Sequence, residues 1–245
     1  MSGGFLRAQL RRATPGLVLR WAHRLVIDAA HRSVVLLKVL RPEGLFQPYA
    51  ATGPDRYPDL FALAAKEIGD GVGVRLLSFG CSTGEELFSL RQYFPHAGIR
   101  GLDINGHSVA MARRAIRRAR DRRISVAAAS DAMREPTAGY DAIFCMAVFR
   151  HGDLAQAGVE RCDHLVSFEC FDDAMAGLAR CLKPGGLLFI RHSNFRFCDT
   201  RSFSDFEVVW REEALALSKE GKVFGRDNRL MPGEAYKDVV FRKHA

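Results

Sequence analysis

The sequence predicts an α/β fold in which a mostly parallel sheet of seven strands is covered by helices on both faces. Two observations predict it. From Gly73 onward, short apolar runs alternate with segments of helical periodicity, and most of the apolar runs end on small or acidic residues. Buried parallel strands are near-continuous apolar runs joined by helical crossovers. A length of 245 residues with 48% hydrophobic residues allows one substantial core.

Charge divides the chain into a basic extension, residues 1–45, and a domain, residues 46–245. The extension has eight arginines or lysines against two acidic residues, hence +6 of the chain's net +8. Its apolar residues are interrupted by charges too often for a transmembrane span or a signal peptide, and they predict one or two basic amphipathic helices. Such helices either pack on the domain as a lid or lie against an anionic membrane or an acidic partner.

The first half of the domain begins with a buried strand over 74–79, followed by a helix over 84–93. The first turn of that helix is acidic, which the helix dipole favours. A second strand over 98–102 ends on Asp103. A helix over 108–120 then places alanines and an isoleucine on one face and arginines on the other.

The second half continues the alternation with strands over 124–129 and 141–148. Apolar residues at helical spacing then mark a helix that stops at a Lys-Pro-Gly-Gly turn over 183–186, and a strand resumes over 187–190. The runs 206–210 and 237–242 are predicted to form an antiparallel closing pair.

The turn over 78–84, Ser-Phe-Gly-Cys-Ser-Thr-Gly, follows the first strand directly. A nucleoside bound across such a sheet needs a tight turn there, because the backbone must approach the ligand closely. An acidic residue at the end of the second strand, about 20 residues further on, binds the ribose hydroxyls. Asp103 stands 19 residues after Gly84. The spacing differs from the dinucleotide fingerprint.

Over residues 49–242 the order of these features resembles that of class I methyltransferases, which use S-adenosylmethionine (SAM). The shared features are the turn, Asp103, Asp131 after the third strand, the strand that begins at Asp141 and the Leu-Lys-Pro-Gly-Gly turn before the fifth strand. The resemblance implies a Rossmann-like fold, methyltransferase activity, SAM as cofactor and no metal.

Within that family, the segments 80–90 and 182–193 resemble the chemotaxis-receptor glutamate methyltransferases. This resemblance implies cofactor contacts by Glu86 and by a Thr and an Arg four residues apart, Thr52 and Arg56. A guanidinium can pair bidentately with the methionine carboxylate of SAM. Asp131 and Ala132 resemble the segment beside the adenine. The complete set expected to bind the cofactor is Thr52, Arg56, Gly80, Cys81, Gly84, Glu86, Asp103, Ile104, Asp131, Ala132, Met146 and Ala147.

The acceptor side departs from the chemotaxis group. Those enzymes carry an Asn and then a Tyr after the fourth strand, whereas this chain reads Cys-Met-Ala-Val-Phe-Arg-His over 145–151. Two catalytic candidates remain there. His151 is either a general base for a hydroxyl acceptor or a cap of the following loop, and Arg150 is a group that could hold an acidic acceptor. A carboxylate acceptor needs no base. His192 is a further pocket candidate.

The sequence therefore predicts methyl transfer to a carboxylate or hydroxyl oxygen of a small molecule or peptide. One alternative is RNA methylation, suggested by seven arginines over 113–123. Because charge runs are mostly solvated helix faces, nucleic acid is not the expected partner. Another alternative is SAM binding without transfer.

Six cysteines without a Cys-x-x-Cys pair predict reduced thiols and a cytoplasmic protein.

Overall fold

The computed structural model of the chain describes residues 23–50, 52–212, 221–233 and 237–245. The strands are β1 (Arg75–Phe79), β2 (Gly98–Asp103), β3 (Ile124–Ala128), β4 (Tyr140–Met146), β5 (Leu182–Arg191), β6 (Phe206–Arg211) and β7 (Asp238–Lys243). The longer helices are α1 (Ala29–Leu40), α2 (Pro58–Ile68), α3 (Glu85–Tyr93), α4 (Gly106–Ala119) and α5 (Phe168–Cys181), and residues 23–27 form one further helical turn before α1.

All seven strands belong to one sheet in the order β3-β2-β1-β4-β5-β7-β6. Strands β1 to β5 are parallel, whereas β7 runs antiparallel to both β5 and β6. The predicted fold class and the antiparallel closing pair are confirmed. Since β2 and β4 flank β1 on opposite sides, the chain reverses its direction of sheet growth between β3 and β4. This reversal leaves a crevice at the carboxyl ends of β1 and β4, where α/β sheets bind ligands.

The core consists of two apolar layers, one on each face of the sheet. Leu77 and Ile143 point into one layer, and Leu76 and Phe144 point into the other, as the alternation of side chains along a strand requires. The first layer includes the inner face of α5, and the second includes residues of α2, α3 and α4. The sheet is therefore covered on both faces, and its central strands are fixed by packing on both sides.

Strand β5 begins five residues earlier than predicted. Tyr140 of β4 pairs with Leu182, but Ala142 pairs with Leu187, so β5 carries extra residues between these two positions. The Lys-Pro-Gly-Gly turn forms this irregularity, and Gly185 adopts a left-handed φ of +75° within it. Helix α5 is therefore followed directly by β5, and the turn lies within the strand.

Helix α1 lies in the predicted basic extension and packs against α4. Ser33 on α1 accepts a hydrogen bond of 3.1 Å from the side-chain amide of Asn105, which caps α4. The guanidinium of Arg41 donates to the carbonyl of His164. The rest of the predicted basic helices, residues 1–22, lies outside the described residues, and the boundary after residue 45 stays a prediction. Within the described ranges, no helix is long and apolar enough to cross a bilayer.

Candidate cofactor and acceptor site

The turn after β1 is held against β2 by backbone hydrogen bonds. The N–H groups of Gly80 and Cys81 both donate to the carbonyl of Leu102, at 2.8 and 3.0 Å. Gly80 has a φ of +86°, and a Cβ atom at this position would lie 2.6 Å from Cγ2 of Val148. Both the backbone conformation and the approach of the loop after β4 therefore require glycine at this point.

Asp103 at the end of β2 faces this turn. One carboxylate oxygen accepts from the backbone N–H of Ser82 and the other from that of Asn105, each at 2.8 Å. Burial raises the pKa of Asp103, and these two bonds lower it. Each oxygen of a carboxylate has two lone pairs, so Asp103 retains the capacity to accept hydrogen bonds from a pair of ligand hydroxyls.

A cavity of about 370 Å³ opens at the carboxyl ends of β1, β2 and β4. A small cavity of about 30 Å³ adjoins it, and Arg56, Gly80, Ser82 and Met146 line both. The hydroxyl of Ser82 is buried and has no hydrogen-bond partner among the described residues. The predicted cofactor residues that line one cavity or both are Thr52, Arg56, Gly80, Cys81, Glu86, Asp103, Ile104, Met146 and Ala147.

Three predicted cofactor residues do not line either cavity. Gly84 ends the turn with a φ of +99° and caps α3, where a Cβ atom would lie 3.1 Å from that of Ala112. Asp131 is exposed, and its carboxylate accepts from the backbone N–H of Met133. Ala132 is buried in the core.

The cavity wall near the end of β3 is formed instead by Ala129 and Ser130. Strand β3 ends at Ala128, so the chain leaves the crevice before it reaches Asp131. The loop after β3 therefore lines the cavity through Ala129 and Ser130 and not through the two residues predicted from the sequence. Contact of Asp131 and Ala132 with the adenine stays a prediction without support from their placement.

Glu86 lies at the methionine end of the predicted site. The hydroxyl of Ser78 donates a hydrogen bond of 2.7 Å to its carboxylate. Burial raises the pKa of Glu86 to about 7, although the Ser78 hydroxyl and the charge of Arg56 act in the opposite direction. Glu86 therefore titrates near neutral pH, and a ligand ammonium group beside it would favour the ionised form.

Two guanidinium groups lie near the ring of Tyr57. The guanidinium carbon of Arg56 is 5.3 Å from the centre of the Tyr57 ring, and that of Arg191 is 5.1 Å from it. The Tyr57 hydroxyl is buried and finds no hydrogen-bond partner within the described ranges. Arg191, at the end of β5, forms an ion pair with Glu212, and its Nε atom is buried without a described partner.

His192 follows Arg191, and its ring centre is 6.0 Å from that of Tyr57. Burial, and to a smaller extent the positive charges of Arg191, Arg150 and Arg56, lower the pKa of His192 to about 4. The three arginines belong to three different segments of the chain. Together they give the crevice a positively charged wall beside the ends of β4 and β5. Sequence reasoning missed Tyr57 and Arg191, because each becomes part of the site only through tertiary packing.

His151 does not line either cavity. Its Nδ1 accepts a hydrogen bond from the backbone N–H of Asp153 and so caps the short 3-10 helix Gly152–Ala155. Its own backbone N–H donates to the side chain of Asn194. Burial lowers the pKa of His151 to about 4. Of the two roles weighed from the sequence, the structure supports the cap and not the general base, whereas Arg150 does line the cavity.

Residues 46–50 line the main cavity and are called its cover below. The lid weighed from the sequence was the basic extension that precedes them. The side-chain amide of Gln47 donates to the carbonyl of Arg150. The Tyr49 hydroxyl donates to Asp153 at 2.6 Å, and the ammonium of Lys38 on α1 forms an ion pair of 3.1 Å with the same carboxylate. Helix α1 and the cover are therefore bonded to Arg150 and Asp153, beside the cavity.

Residues 77–188 match the family model of a methyltransferase domain. The match runs from β1 into β5 and includes the turn and Asp103. The comparison with curated proteins gave no match.

Solved structures align with part of the chain. The [4+2]-cyclase SpnF is 29% identical over 54% of this chain and 43% of its own, with a TM-score of 0.41. Phosphoethanolamine N-methyltransferase 2 from Haemonchus contortus is 17% identical over 66% of this chain and 33% of its own, with a TM-score of 0.44. Geranyl diphosphate C-methyltransferase from Streptomyces coelicolor is 14% identical over 54% and 45%, with a TM-score of 0.40. The aligned parts span less than half of each of these proteins.

Proposed function

We propose that this chain, whose residues 77–188 match the family model of a methyltransferase domain, transfers the methyl group of SAM to a carboxylate oxygen of a small molecule or peptide. The observation that carries the proposal is the positive wall beside the crevice. Arg56 and Arg150 line the main cavity. Arg191, which is paired with Glu212, lies behind them with its guanidinium carbon 5.1 Å from the centre of the Tyr57 ring. An anionic acceptor is the class of substrate that such a wall favours.

The residues at the cavity fit SAM. The Asp103 carboxylate would accept from the ribose hydroxyls, and the Ser82 hydroxyl, which lacks a described partner, offers a further polar contact. Glu86 would receive the ammonium of the methionine end and Arg56 its carboxylate. When bound, SAM supplies an electrophilic methyl group on a sulfonium. The protein's part is to orient the two reactants and to exclude water.

A carboxylate fits the chemistry of this site better than a hydroxyl does. A hydroxyl must lose its proton as it attacks, and the efficiency of a general base depends on a pKa near the working pH. His151 and His192 each have a pKa of about 4, and His151 is engaged as a cap. A carboxylate is already an anion, so it needs alignment alone.

Methyl transfer from SAM to a carboxylate requires no proton transfer. A lone pair of the carboxylate oxygen attacks the methyl carbon, and the bond from that carbon to sulfur breaks with its electron pair going to sulfur. The products are a methyl ester and S-adenosylhomocysteine. Arg150, from its place on the cavity wall, would hold the acceptor carboxylate and keep its reactive oxygen in line with the methyl group.

Methyl-labelled SAM tests this proposal directly. The protein is incubated with it and with pools of small carboxylic acids or acidic peptides, and the products are then treated with alkali. Methyl esters release labelled methanol, which is volatile, whereas methyl groups on amines, ethers or carbon remain in solution. We expect volatile label, which Arg150→Gln reduces and the surface variant Arg229→Gln leaves unchanged. Label that stays in solution would contradict the proposal, and so would SAM binding without transfer to any pool.

A further inference from the structure

Helix α1 presents an apolar face to solvent. Leu36, Val39 and Leu40 are 51%, 50% and 71% exposed, and their spacing places them on one side of the helix. Val26 and Ile27, in the helical turn before α1, are 75% and 66% exposed. Half of the large exposed hydrophobic residues in the described ranges therefore lie between positions 26 and 40. A concentration of this kind marks an interaction surface.

Helix α4, which packs beside α1, presents a strongly basic face. All seven arginines over 113–123 are exposed, and Asp121, the acidic residue among them, pairs with Arg91. The arginines that form no ion pair with any described residue and no side-chain hydrogen bond to one are Arg114, Arg117, Arg118, Arg120 and Arg122. Their charge is therefore available to an external partner.

The sequence before α1 adds to the same charge. Residues 1–22 contain four arginines, at positions 7, 11, 12 and 20, and no acidic residue. The hydrogen bond between Ser33 and Asn105 fixes the middle of α1 to the start of α4. An exposed apolar stripe and an exposed basic face thus lie on two helices in contact.

We propose that α1 and α4 form a docking surface for an anionic membrane. A bilayer with acidic lipids complements both the basic face and the apolar face. Its headgroups attract the arginines, and its acyl region takes up the leucines and valines. RNA would complement only the positive charge of α4 and not the apolar face of α1. Neither helix contains a Phe, Tyr or Trp on which bases could stack, and exposed leucines gain nothing from a phosphate backbone.

Docking would act on the cover of the crevice, because α1 carries Lys38, which is bound to Asp153 beside the cavity. The inference does not depend on the proposed carboxylate acceptor, since it concerns residues outside the cavity. Its failure would leave that proposal unaffected.

Sedimentation of the full chain with vesicles tests the inference. One vesicle set is pure phosphatidylcholine and the other is phosphatidylcholine mixed with anionic phosphatidylglycerol. We expect binding to the mixed vesicles, little binding to the pure ones and a decrease with added salt. The pairs Leu36→Ser with Leu40→Ser and Arg114→Gln with Arg118→Gln should each lower the partition coefficient by about tenfold.

Matched controls replace residues of the same kind elsewhere on the surface. Val72→Ser with Val209→Ser and Arg161→Gln with Arg229→Gln should leave partition unchanged, and all variants should retain binding of S-adenosylhomocysteine as a check of folding. Equal binding to both vesicle sets, or no effect of either α1 or α4 pair, would overturn the inference. Capture of an RNA oligonucleotide without vesicle binding would overturn it in favour of a nucleic-acid surface.

Discussion

The carboxylate of Asp103 accepts a hydrogen bond from the backbone N–H of Ser82 at 2.8 Å. This bond joins the end of β2 to the turn after β1, the two segments that wall the crevice at the reversal of strand order. The side chain expected to bind the ribose therefore also fixes the turn that must approach the cofactor. We therefore expect both the binding of the cofactor and the order of the turn to depend on the carboxylate of Asp103.

Replacement of Asp103 should weaken binding of S-adenosylhomocysteine. Asp103→Asn removes a charged acceptor while keeping the shape of the side chain, and hydrogen bonds to charged groups contribute about 1.5–3 kcal/mol each. We expect a loss of about tenfold to a hundredfold in affinity, measured by equilibrium dialysis. Asp173→Asn is the control, because Asp173 is exposed, pairs with Arg201 and does not line the cavity, and the variant should leave affinity within about twofold. Equal losses in the two variants would contradict this placement.

Glycine at position 80 should be required for stability as well as for binding. In Gly80→Ala the new methyl group meets Val148 at 2.6 Å on a backbone with a φ of +86°. We expect the free energy of unfolding to fall by about 2–4 kcal/mol, measured in urea. Gly158→Ala separates the two causes, because Gly158 has a φ of +75° but nothing within 4 Å. This substitution should lower the free energy of unfolding by about 1 kcal/mol. A similar decrease in the free energy of unfolding of both variants would show that contact with Val148 does not affect stability.

Cofactor affinity should depend on pH through Glu86. Its pKa of about 7 in the free protein means that the carboxyl is protonated below neutral pH. Only the ionised form pairs with the ammonium of the methionine end, so affinity should fall as pH drops below about 7, by up to tenfold for each pH unit. Glu86→Gln should flatten this dependence. Calorimetry from about 1.5 pH units below this pKa up to the pKa itself provides the measurement. An identical slope in wild type and variant would exclude Glu86 as its source.

The cover of the crevice should control the rate of ligand release. Tyr49→Phe removes the hydroxyl that donates to Asp153 at 2.6 Å, and a hydrogen bond of this kind contributes about 1 kcal/mol. We therefore expect dissociation of S-adenosylhomocysteine to become about threefold to tenfold faster in stopped-flow displacement. Tyr93→Phe removes an exposed hydroxyl that bonds to Asp55 away from the cover and should not change the rate. An unchanged rate in Tyr49→Phe would mean that the cover does not limit release.

The features that the sequence predicted correctly are those with local causes. The strands are continuous apolar runs, and the turn before α3 combines small residues with an acidic first helical turn. Asp103 faces the turn and lines the cavity, as its position at the end of β2 predicted, and its contact with the ribose stays a prediction. Asp131 does not line the cavity, because β3 ends at Ala128 and the path of the loop after it is not visible in the sequence.

Other features of the site arise only from packing between distant segments. Tyr57 meets Arg191 across more than 130 positions of sequence, and Lys38 meets Asp153 across 115. Neither contact leaves a spacing pattern in the chain. For His151 the sequence allowed both a base and a cap, and the hydrogen bond from Asp153 that favours the cap depends on a local backbone conformation.

Calorimetric titration of the wild-type chain with SAM, and in parallel with S-adenosylhomocysteine, tests whether the crevice between β1 and β4 is a SAM site. We expect saturable binding of both ligands, at one site per chain and with affinity in the micromolar range or tighter. A folded protein that takes up neither ligand would contradict this expectation.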